Sequence, residues 1–123
     1  MEHQNENTLW LPYHEKSERY ASEAEVCSRN GDHRKAQELY GKAANEEWWA
    51  TSLVPSALER TLSALYVSTA SLFVKAGRIK DASYIAKEGL RKKGYFHREK
   101  DLLPFAKTAL EEILKSLQGG IPE

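Results

Sequence analysis

Apolar residues along the chain recur at intervals of three and four, the period of an amphipathic helix. Tyr20, Ala24 and Cys27 step by four and three; Ala36, Leu39, Tyr40, Ala43 and Ala44 form one face, which Trp48 continues. Leu58, Leu62, Leu65, Thr69, Leu72 and Ala76 make a long stripe, and Ile79, Ala82, Ile85, Ala86 and Leu90 make another. A last stripe runs from Leu102 to Leu117. No alternating run of β-branched residues reaches strand length. Glycine and proline fall between the stripes, at Asn30-Gly31-Asp32, Val54-Pro55-Ser56, Ala76-Gly77-Arg78, Gly94 and Gly119-Gly120-Ile121-Pro122. A glycine just past the last periodic residue suits the left-handed position that closes a helix, and Asp32 can cap the helix that follows. The pattern predicts an all-α domain over 15–118, with five helices at about 15–30, 33–51, 56–76, 79–93 and 99–118. A flexible or flap-like segment at 1–14 is expected before it and a disordered tail at 119–123 after it.

Two stretches repeat one another. The first reads Tyr20-x3-Ala24-x2-Cys27, then Gly31-Asp32-x3-Ala36-x3-Tyr40-x2-Ala43. The second reads Tyr66-x3-Ala70-x2-Phe73, then Gly77-Arg78-x3-Ala82-x3-Ala86-x2-Gly89, with every internal spacing the same. Small residues at Ala24, Ala36, Ala70 and Ala82 let two antiparallel helices approach closely, and the aromatic positions fill the space beside them. This pattern resembles the tetratricopeptide repeat, a helix–turn–helix with small residues at the crossing and glycine in the turn. Tyrosine stands at the first aromatic site in both copies, and Glu23 and Thr69 occupy positions where that family usually has leucine. The two glycines are also more widely spaced than the family period of about 34 residues, so the second and third helices are expected to be long and to meet at Val54-Pro55-Ser56. The segment after Gly94 reads as a capping helix.

The resemblance implies a concave groove for peptides, lined by the first helix of each repeat. Its residues would be Ala21, Glu25, Ser28 and Arg29 in the first copy and Val67, Ser71, Val74 and Lys75 in the second. Where some family members clamp a terminal carboxylate, this chain has alanine, glutamate, valine and serine, so that specialised function is not implied.

Charge narrows the classes further. The chain has 18 basic and 18 acidic residues and no net charge, which argues against a nucleic-acid coat or a polybasic membrane protein. Residues 1–47 carry an acidic excess and residues 48–123 a basic one. Halves of opposite sign can associate head to tail or pair within the fold, and pairing within the fold is the expectation. No apolar stretch reaches the roughly 20 residues of a membrane span, and the first residues lack the marks of a secretory signal. The single cysteine, Cys27, suits a reducing cytoplasm and a core position rather than a nucleophile.

No catalytic constellation emerges. His3, His14, His33 and His97 form no recognised metal motif, and phosphate-loop and nucleophile-elbow signatures are missing. His14-Glu15 reads as part of a solvated N-terminal segment. Glu46-Glu47 and Glu111-Glu112 read as solvated faces, because adjacent helical residues do not share a site. No metal or cofactor is expected. Trp10, Trp48 and Trp49 are candidate interface aromatics. Arg91, Lys92, Lys93 and Arg98 form a basic patch interleaved with aromatics, read first as a helix C-terminus and turn. The expectation is a non-enzymatic module that binds a protein, a peptide or itself, with a two-fold dimer or a folded flap covering the N-terminal aromatics. A nucleic-acid-associated protein using residues 75–100, a homo-oligomeric structural protein and an enzyme subunit are the alternatives.

Overall fold

The computed structural model describes residues 6–91 and 101–119. A short 3₁₀ turn, Glu6–Thr8, leads into five α-helices: α1 Leu11–Arg29, α2 His33–Leu53, α3 Glu59–Lys75, α4 Ile79–Leu90 and α5 Pro104–Gly119. The described residues contain no strand. Helix α1 begins at Leu11, not near residue 15, with Pro12 in its first turn, where a missing backbone N–H costs nothing. Leu11, Tyr13 and His14 therefore stand on a helix rather than on a separate flap. Residues 120–123, most of the expected tail, lie outside the described residues, as do Lys92, Lys93 and Arg98 of the basic patch.

Both helix pairs turn in the same way. Gly31 has φ 84° and Gly77 has φ 76°, a region that glycine enters without a Cβ clash. At the first turn Asp32 N–H donates to Cys27 O at 2.9 Å and Gly31 N–H to Ser28 O at 3.0 Å. At the second, Arg78 N–H donates to Phe73 O and Gly77 N–H to Val74 O, each at 2.9 Å. This doubled closure satisfies carbonyls that the helix end would leave unpaired. Asp32 also caps α2, its side chain accepting from Lys35 N–H at 3.2 Å. Between the pairs, Val54 is extended ahead of Pro55, the conformation that proline imposes on its predecessor.

Each helix packs on the next, and α5 returns to pack on α3 as well as α4. The core is centred on α3, which buries Leu62, Leu65, Tyr66, Ala70, Leu72 and Phe73. At the α4–α5 crossing, a Cβ on Gly89 would stand 2.5 Å from Leu110 Cδ1, so any larger residue there requires the Leu110 side chain to shift. Helix α1 buries just Ser17 and Ala24.

Candidate functional site

Helices α3 and α5 run in the same direction. Leu103, just before α5, donates its backbone N–H to Ser63 Oγ near the start of α3 at 2.9 Å, and the Arg60 guanidinium lies over the Phe105 ring. Farther along, an open cavity of about 390 Å³ lies between the two helices. Val67, Ser71, Val74 and Lys75 form one wall, and Ala109, Glu112, Ile113 and Ser116 form the other. The valines and Ile113 are half-buried, resting on the core below and open to the groove above. The Lys75 ammonium sits 5.5 Å from the centre of the Tyr40 ring. Burial first, and then the nearby Glu25 carboxylate, raise the Tyr40 phenol above the usual tyrosine range.

The four groove positions on α3 thus share one cavity, and their opposite wall comes from α5, which the repeat pattern did not include. The four positions on α1 do not line it. Ala21 is half-buried against the core, Ser28 is half-buried, and Glu25 and Arg29 are exposed. A second, polar cavity of about 580 Å³ lies between α2 and the α3–α4 turn. Its cations have partners within the chain: Arg78 binds Asp81 at 2.7 Å and Asn45 at 3.1 Å, Arg34 approaches Glu38 at 3.9 Å, and the Lys42 ammonium lies 5.9 Å from the centre of the Tyr20 ring.

The tryptophans separate by environment. Trp10 is half-buried, with its indole N–H on Asn7 O at 2.6 Å. Trp48 is half-buried and meets Tyr66 edge to face at 5.8 Å. Trp49 is 58% exposed and lies beside the Tyr13 ring at 6.4 Å, with Leu11 and Tyr13 also exposed.

Two readings of charged residues change. Glu47 is not on a solvated face: it is 2% exposed. One carboxylate oxygen lies 2.8 Å from His14 Nδ1 and the other accepts from Ser68 Oγ at 2.6 Å, so one side chain of α2 ties α1 to α3. The second ring nitrogen of His14 faces Glu18 at 3.2 Å. Around this clasp Ser17 Oγ donates to Ala43 O, and Thr51 and Thr69 hydroxyls pair at 3.2 Å. The sequence held a signal for Glu47, which follows Ala43 by four and precedes Ala50 by three, on the buried stripe of α2. The ion pairs formed between two described residues each join groups of the same half of the chain, so none of these pairs links the acidic half to the basic one. Arg91 is exposed and lies 3.8 Å from Glu88.

Among the described residues no three histidine, cysteine or acidic side chains are arranged to hold a metal ion, and no helix is long and apolar enough to cross a membrane. The molecule belongs to the class of all-helical proteins built from consecutive antiparallel helix pairs, with a fifth helix packed on the second pair. Protein-family models, curated proteins and solved structures contain no match to the chain.

Proposed function

We propose that this protein is a non-enzymatic interaction module, a tetratricopeptide-like adaptor whose α3–α5 groove receives a segment of a protein partner. The observation that carries this reading is the groove itself. Apolar side chains line it, hydroxyls and one charge of each sign stand among them, and it remains open beside the buried Leu62, Leu65, Thr69 and Leu72 of α3. Such a surface suits recognition, with apolar anchors providing affinity and a few polar groups fixing orientation. Selection from a random peptide display library tests the reading. Peptides retained by the wild-type protein should be lost on Val67→Arg or Ile113→Arg and kept on Trp49→Ala. Binders that ignore both groove substitutions would refute it.

The exposed Tyr13–Trp49 pair supports a second reading, self-association through the α1–α2 end. Light scattering across a concentration series distinguishes it: a dimer built there dissociates on Trp49→Ala, and a concentration-independent monomer excludes it.

A further inference from the structure

We infer that the α3–α5 groove takes an amphipathic helix of a partner protein rather than an extended segment; this rests on the reading of that groove as the interaction site. The two walls carry the same rhythm. Val67, Ser71 and Val74 stand at i, i+4 and i+7 on α3, and Ala109, Ile113 and Ser116 stand at i, i+4 and i+7 on α5. Each stripe spans two helical turns, about 10 Å at 1.5 Å per residue, and both line the one cavity. Large residues at Val67, Val74 and Ile113 alternate with small ones at Ser71, Ala109 and Ser116. The result is a row of ridges and hollows spaced for the side chains of a third helix.

Backbone chemistry points the same way. An extended peptide must find partners for its own N–H and C=O groups, which it normally does on a sheet edge. Here both walls are helical, so their interior backbone groups are engaged within their own helices, the Val74 carbonyl at the end of α3 accepts from Gly77 N–H, and the described residues offer no strand edge. Among the lining side chains, the Ser71 and Ser116 hydroxyls and two charged groups are what an extended chain would find. A helix arrives with its backbone satisfied and needs only side-chain contact. Charge then sets its orientation. Lys75 stands on the α3 wall and Glu112 on the α5 wall, and neither forms an ion pair with a described residue. The partner helix therefore carries aliphatic residues at i, i+4 and i+7, a carboxylate on the flank facing α3 and a cation on the flank facing α5.

Two peptide display libraries test this against the full-length protein. One fixes leucine or isoleucine at i, i+4 and i+7 in a helix-forming background; the other has the same composition with a proline fixed at the centre. Binders should come from the first, and a central proline should weaken the best of them by on the order of 100-fold. Ile113→Arg should abolish binding, and so should Ser116→Arg, which alters an exposed position and leaves the core untouched. Lys75→Glu should weaken peptides that carry glutamate on the α3 flank, and a glutamate-to-lysine change in the peptide should restore them. Proline-containing peptides that bind equally well and still require Ile113 and Ser116 would overturn the helical inference and leave the groove as the site. If neither library yields a binder, or if the binders are all indifferent to both substitutions, the inference and the reading beneath it both fall.

Discussion

The first helix pair, α1–α2, and the second, α3–α4, turn on the same backbone geometry and differ in what their leading helices bury. Asp32 and Arg78, which open α2 and α4, share a conformation to within a degree, with φ −89° and −90° and ψ 72° in both. Ala24 and Ala70, equivalent in the repeat, are both fully buried. Yet Tyr66 and Phe73 are buried on α3, whereas their counterparts on α1, Tyr20 and Cys27, are only half-buried. The difference follows from position in the array. Helix α3 has α2 on one side and α4 and α5 on the other, whereas α1 packs chiefly on α2. A repeat thus specifies its own turn and its own close crossing, and its neighbours decide how much else is covered. Helix α1 makes up part of the deficit with polar contacts, through the Glu47 clasp and the Ser17 hydroxyl.

The sharpest way to break this comparison is to truncate equivalent tyrosines. Tyr66→Ala should cost about 3–5 kcal/mol, the range for an aromatic removed from a core. Tyr20→Ala should cost about 1 kcal/mol, as for a half-exposed side chain. Denaturant midpoints measure both, and equal losses would mean that α1 is as deeply packed as α3.

The clasp gives the next effect. Glu47→Ala removes the acceptor shared by His14 and Ser68 and should cost about 2 kcal/mol, since breaking a buried pair leaves its partners unmatched. Because His14 is partly solvated, a double-mutant cycle with His14→Ala should return a coupling near 1 kcal/mol. Amide exchange should quicken along α1 and stay unchanged in α4 and α5. A global change in exchange would show that the clasp holds the whole array.

How much of this was legible in the sequence follows the same divide. The five helices, both glycine turns and the α3 stripe depend on spacing along the chain, and spacing is what a sequence displays. The closing wall of the groove depends on where α5 returns, a non-local outcome that no period in α3 encodes. The burial of Glu47 had a local trace, its place between Ala43 and Ala50. Its meaning depended on His14 and Ser68, 33 and 21 residues away, meeting at one point. The early start of α1 escaped because Leu9-Trp10-Leu11 reads as an apolar cluster without a period until Ser17 and Ala24 show which face is inward.

The two turns can be compared directly. Gly31→Ala and Gly77→Ala each force a Cβ into a left-handed conformation, at about 1 kcal/mol. A Cβ at Gly31 meets nothing within 4 Å, whereas one at Gly77 stands 3.3 Å from Gln37 Nε2, so the second substitution should cost the more by a few tenths of a kcal/mol. Thermal melts of the two variants decide it, and a reversed order would contradict the packing of α2 against the second turn.

The smallest effect lies where the pairs adjoin, at Tyr40. Burial and Glu25 keep its phenol neutral to higher pH in the folded protein than in the unfolded chain. The folded state therefore holds more protons as pH rises through about 10, and stability contributed by neutral Tyr40 is lost there. Tyr40→Phe should flatten that loss by less than about 1 kcal/mol in melts taken between neutral and alkaline pH. An unchanged slope would remove Tyr40 from the account.

The central claim is that the second pair and α5, not the exposed aromatics of the first pair, form the docking surface. Hydrogen exchange read by mass spectrometry, with and without a peptide selected by the wild-type protein, tests it most directly. The account predicts new protection at residues 67–75 of α3 and 109–116 of α5, with α1 unchanged. Protection confined to the segments that carry Tyr13 and Trp49 would contradict it.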